Sequence, residues 1–117
     1  MSLFDSTAKP NPAGHRDLEV TQLALPAPPD VRLVDVREPH EFAGELGHVP
    51  GAALVPLASL PAQAMTWDKQ TTYVLICRSG GRSAQAAQYL TRAGFARVIN
   101  LVGGMLAWNQ AGLKTER

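Results

Sequence analysis

The segment Cys77-Arg78-Ser79-Gly80-Gly81-Arg82 joins the only thiol of the chain to two arginines and two adjacent glycines. It lies after an apolar run, Thr72-Tyr73-Val74-Leu75-Ile76, and before Ser83 to Ala93. The latter puts Ala86, Ala87, Leu90 and Ala93 on one helical face. A loop between a strand and a helix receives the free N–H groups and the positive end of that helix. Gly80 and Gly81 permit positive φ, so successive amides can turn inward as an anion-binding nest. Arg78 and Arg82 add positive charge, and Ser79 and Ser83 add hydroxyl donors. A thiol in that field is expected to ionise below its ordinary pKa of about 8.5. The chemistry expected is nucleophilic attack by Cys77 on a substrate held by Arg78, Ser79, Gly80, Gly81 and Arg82, with Ser83 in support. A cysteine taken alone reads as a small buried hydrophobe. The paired glycines, the flanking arginines and the strand-to-helix switch shift the reading to a nucleophile.

Other polar residues carry weaker signals. Asp35 ends the run Val31-Arg32-Leu33-Val34-Asp35-Val36 and is expected to support the loop by accepting amides. Arg37 is expected to pair with Glu38 or Glu41 rather than to bind an anion. His48, inside a Gly-x-x-Pro-Gly turn, reads as a structural hydrogen-bonding group, and Met105 and Trp108 read as core. Neither a Gly-x-x-x-x-Gly-Lys-Ser/Thr nor a Gly-x-Gly-x-x-Gly motif is present, so nucleotide binding has no support. One cysteine and three scattered histidines are a poor match to structural zinc spacing, so no metal is expected.

The elements that must position these residues follow from short runs. Strands are expected at Leu18 to Val20 (an edge), Val31 to Val36, Ala53 to Pro56, Thr72 to Ile76 and Arg97 to Leu101. Helical segments are expected at Glu38 to Gly44, Ala58 to Met65, Ser83 to Ala93 and Met105 to Gln110, with Gly94 as a C-terminal cap. Such alternation predicts an α/β fold, a parallel sheet of about five strands with helices on both faces. Ligands of such sheets sit at the carboxyl ends of the strands, where Cys77 falls. Residues 1–16, rich in Ser, Pro, Asn and Gly, read as a flexible lead-in, leaving 17–117 as one domain. The 117 residues are 45% hydrophobic and 18% charged, an ordinary globular balance. A formal charge of +1 removes the main electrostatic reason to expect nucleic acid. No apolar run is long enough to span a bilayer, and Met1 to Pro12 has no signal-like apolar stretch, so a cytoplasmic location is expected.

Four stretches in order resemble the single-domain rhodaneses, a sulfurtransferase family, over roughly residues 18–113. They are Leu33-Val34-Asp35-Val36-Arg37-Glu38, Gly47-His48-Val49-Pro50-Gly51-Ala52, Cys77-Arg78-Ser79-Gly80-Gly81-Arg82-Ser83 and Gly103-Gly104-Met105-Leu106-Ala107-Trp108. The resemblance implies a rhodanese-like sheet, a Cys77 persulfide intermediate and loop amides that hold the transferred sulfur. It implies a small anionic sulfur donor such as thiosulfate, a thiol or other nucleophilic acceptor, and no cofactor. Cysteine phosphatases and some arsenate reductases use a related loop with one residue more between cysteine and arginine. Here four residues separate Cys77 from Arg82, which makes a smaller cradle suited to a single sulfur. A non-catalytic binding module of the same fold is the other alternative, and the intact cysteine loop argues against it.

Overall fold

Six strands form one sheet in the computed structural model, which describes residues 2–117. They are β1 (Lys9–Pro10), β2 (Arg16–Glu19), β3 (Val31–Asp35), β4 (Ala53–Leu54), β5 (Thr72–Ile76) and β6 (Arg97–Val102). Across the sheet the order is β1-β2-β6-β5-β3-β4, and only β1 and β2 pair antiparallel. The helices are α1 (Leu3–Ser6), α2 (Pro39–Phe42), α3 (Leu60–Ala64), α4 (Gly81–Arg92) and α5 (Gly104–Gln110). No helix among the described residues is long and apolar enough to cross a membrane.

β5 is central, and all five of its residues are buried. This is what an apolar run without alternation requires, because each face must be covered. Val74 and Ile76 point into one core, with Leu18, Ile99 and Leu101 of the sheet and Met105 and Trp108 of α5. Tyr73, Leu75 and Cys77 point into the other, against Ala86, Ala87 and Leu90 of α4 and Leu60 and Ala64 of α3. The period of two in the strand thus puts Cys77 on the α4 side.

The structure corrects the sequence reading at the amino end. The sheet has six strands rather than about five, and the added strand, β1, lies in the segment expected to be flexible. The contacts within that segment are local and follow no apolar period. Ser2 Oγ accepts from the Asp5 amide to cap α1, Ala8 is buried, and the Arg16 guanidinium lies 4.3 Å from the Phe4 ring centre. β2 is therefore not an edge strand. Elsewhere α4 begins at Gly81, two residues before the expected Ser83, and Gly81 has an ordinary helical backbone. Only Gly80, at φ +108°, takes the left-handed conformation that both loop glycines were expected to share.

The active loop is tied to the start of α5. Met105 N–H donates to the Cys77 carbonyl at 2.9 Å, and Leu106 N–H to the Arg78 carbonyl at 3.0 Å. These are amides that a first helical turn leaves without an internal partner. The approach needs Gly104, at φ +53°, because a Cβ there would overlap the Cys77 carbonyl oxygen. Gly104→Ala should therefore cost about 2 kcal/mol or more of stability, combining positive-φ strain with displaced backbone. Chemical denaturation of the two proteins checks this, and a shift below about 0.5 kcal/mol would show that the contact is not needed.

Candidate functional site

Cys77 follows β5, and its side chain turns under the loop rather than out of it. The residue is 1% exposed. Gly80 N–H donates to Sγ at 3.0 Å, and Ser83 Oγ lies 3.3 Å from it. Gly80 reaches this position by its left-handed backbone, which also caps α4. Burial pushes the Cys77 thiol up, but the Ser83 hydroxyl and the backbone N–H groups of Ser83, Gly80 and Ser79 outweigh it. The net result is a thiol below its ordinary pKa. The lowering comes mainly from neutral dipoles aimed at one atom.

Ser83, the first-turn residue of α4, is fully buried and touches three groups. Its Oγ contacts Cys77 Sγ, the Gly80 carbonyl at 3.2 Å and Asn100 Oδ1 at 2.6 Å. Asn100 was missed by the sequence reading. The available signal was an amide side chain alternating with Val98 on the α4-facing side of an otherwise apolar strand.

The charged residues are arranged differently from the sequence expectation. The sequence places Arg82 among the residues that hold the substrate. Its two terminal nitrogens instead hold Glu41 of α2 in a bidentate pair at 2.7 and 2.8 Å. Arg37 pairs with neither Glu38 nor the Glu41 carboxylate. It closes on Asp35, with Nε at 2.9 Å from Oδ1 and Nη2 at 2.8 Å from Oδ2, and both side chains are buried. Its remaining donors reach the carbonyls of Glu41 and Gly47. The spacing could have revealed this pair, since residues two apart on extended backbone share a face. Asp35 accepts the Arg37 amide and guanidinium rather than amides of the cysteine loop. Together they fasten the end of β3 to α2 and to the turn at Gly47.

Arg78 is exposed and has no ion-pair partner among the described residues. It borders a cleft of about 270 Å³ with Arg37, His40, Glu41, Glu45 and Leu46. His48 Nδ1 lies 2.9 Å from the Phe42 carbonyl, and its ring stacks on Phe42. Trp108 and Met105 are buried in the core, and Trp108 donates to the Lys114 carbonyl. The geometry thus brings Cys77, Ser79, Gly80 and Ser83 around one sulfur. Arg82 ties the start of α4 to α2 through Glu41, while Arg37 and Asp35 fasten β3 to α2 and to the turn at Gly47.

The profile of the Rhodanese-like domain family matches residues 20–111. A sulfurtransferase of Allochromatium vinosum is 44% identical over 84 residues, covering 72% of this chain and 77% of that protein. An uncharacterized Synechocystis protein is 48% identical over 85 residues, which are 73% of this chain and 46% of the relative. The chain thus spans about half the length of that relative. A crystal structure of a rhodanese-like domain protein from Staphylococcus aureus superposes with a TM-score of 0.72 at 33% identity. The match covers 86% of this chain and 98% of that one.

The Arg82 guanidinium lowers the Glu41 carboxyl from the usual 4.5 to about 2. A carboxylate depressed on folding stabilises the fold above its unfolded pKa and loses that contribution as pH falls toward its folded value. Glu41→Gln keeps an acceptor for the Glu38 amide but not the charge. It should cost about 1 kcal/mol at pH 7, a modest figure because Arg82 is partly solvated. The gap from wild type should close as pH falls from about 5 toward 2. Thermal melts across that range test the pairing, and a gap independent of pH contradicts it.

Proposed function

The chain belongs to the rhodanese-like domain family, and on that footing we propose that it is a sulfurtransferase working through a persulfide on Cys77. The observation that carries the reading is the single thiol set against the Gly80 amide at 3.0 Å, with Ser83 beside it. Such a site stabilises negative charge on sulfur at one position without an acid or base of its own.

In the proposed reaction the Cys77 thiolate attacks the outer sulfur of thiosulfate. A new S–S bond forms at Sγ, the S–S bond of the donor breaks, and sulfite leaves with the bonding electron pair. An acceptor thiolate then attacks the outer persulfide sulfur, forms its own S–S bond and releases Cys77 as thiolate. The amides of Arg78, Ser79, Gly80, Gly81 and Arg82 form the cradle for the transferred sulfur. At 1% exposure the nucleophile suits a donor that offers a terminal atom. Arg78, exposed and without an ion-pair partner among the described residues, attracts the anionic donor, while Arg82 shapes the loop through Glu41. Arg78→Ala should therefore raise KM for thiosulfate roughly three- to tenfold, with the effect shrinking as salt is added. A KM independent of both substitution and salt would remove Arg78 from donor binding.

Intact mass after thiosulfate treatment tests the proposal as a whole. The protein should gain one sulfur atom on Cys77, and Cys77→Ser should fold, gain nothing and transfer no sulfur. Appreciable transfer by Cys77→Ser, or robust hydrolysis of an aryl phosphate by the wild type, would overturn the assignment. The second outcome would revive the phosphatase reading that the short loop argues against.

A further inference from the structure

The buried contacts of Ser83 contain a conflict of proton count. A hydroxyl carries one hydrogen. The 2.6 Å contact with Asn100 Oδ1 claims it, because two oxygens that close need a proton between them. With that proton committed, Ser83 Oγ can only accept from Cys77, so Cys77 is a thiol in this arrangement. A Cys77 thiolate needs the opposite polarity, with Ser83 donating to sulfur and something donating to Ser83. The neighbouring group able to supply both polarities is the Asn100 amide, whose oxygen and NH2 exchange places in a half-turn of nearly equal shape. Among the described residues Asn100 Nδ2 has no protein acceptor, so no second bond pins the amide in one orientation.

We propose that the Asn100 side-chain amide is a positioning element for Cys77: by accepting from Ser83 Oγ or donating to it, it sets the direction of the Ser83 hydroxyl and thereby whether Sγ is held as thiol or thiolate. On ionisation the thiol proton passes to solvent, the Ser83 hydrogen turns from Oδ1 to Sγ, and Asn100 Nδ2 turns to donate to Oγ. No proton moves onto Asn100 and no electron is transferred. Buried hydrogen-bond chains of this kind act as a unit, since each member polarises the next.

Charged groups around the sulfur leave this chain in control, and Arg78, next to Cys77, is exposed to solvent, which screens its charge. Arg82 of α4 feels the charges of Cys77 and Asp35, but it is bidentate on Glu41 of α2. Asp35 at the end of β3 is closed on Arg37. α3 and α5 carry no charged residue, and Arg97 of β6 is engaged with the Gln70 carbonyl.

Asn100→Asp tests the proposal, because a carboxylate can accept from Ser83 but not donate. The inference rests on Cys77 as the reacting thiol, and iodoacetamide reports its ionisation whether or not thiosulfate is the donor. In Asn100→Asp the alkylation rate at pH 7 should fall about tenfold, one unit of thiol pKa. Added to Ser83→Ala, the same substitution should lower the rate clearly less, since only the direct effect of the added charge remains. A fall below about twofold with Ser83 present overturns the proposal. An equal fall in both backgrounds also overturns it, because it marks a plain charge effect. A measurement on the wild type stands independently of the folding of these variants. The Asn100 side-chain amide signals in nitrogen-15 spectra should titrate with the midpoint seen by Cys77 alkylation, and should stop doing so in Ser83→Ala. Signals fixed through that transition contradict the proposal.

Discussion

Two backbone carbonyls, those of Cys77 and Arg78, are held by the amides of Met105 and Leu106 at the start of α5. A peptide unit has its C=O and N–H on opposite sides. Fixing those two carbonyls on α5 therefore turns the N–H groups of Arg78 and Ser79 the other way, and the Ser79 N–H is one of those that lower the Cys77 pKa. The close approach is possible because Gly104 has no Cβ. The family match includes the Gly103-Gly104 segment at the far end of the chain, which fits its part in shaping the site.

The electrostatics follow the same division of labour. Arginine and carboxylate charges near the loop are spent within the protein, Arg37 on Asp35 and Arg82 on Glu41. The Asp35 and Arg37 pair is buried and saturated with hydrogen bonds, the condition under which desolvating two charges is tolerable. What acts on the thiol is a set of neutral groups: loop amides fixed by the fold, and the Ser83 hydroxyl, which lies between Sγ and Asn100. The fixed amides need no rearrangement when charge appears on sulfur.

The strand β5, the helix α4 and the loop between them were legible because their signals are local. An unbroken apolar pentad, a spaced alanine face and a Gly-Gly punctuation each depend on neighbouring residues. The partners of the charged residues were not legible to the same degree. Arg82 meets Glu41 from 41 positions away, and Ser83 meets Asn100 from 17, so only the tertiary fold brings them together. The two-residue strand β1 is too short to show any period, and it joins the sheet only through its antiparallel pairing with β2. Motif resemblance identified the loop. It did not distinguish Arg78, which has no ion-pair partner among the described residues, from Arg82, which is held by Glu41.

The central claim is that oriented loop amides and the Ser83 hydroxyl outweigh burial and keep the Cys77 thiol acidic. The most direct test is the rate of Cys77 alkylation against pH in the folded protein and again in urea. The account predicts a midpoint in the folded protein below the ordinary value of about 8.5, returning to that value on unfolding. A folded midpoint at or above the unfolded one would mean that burial dominates, and would contradict the account.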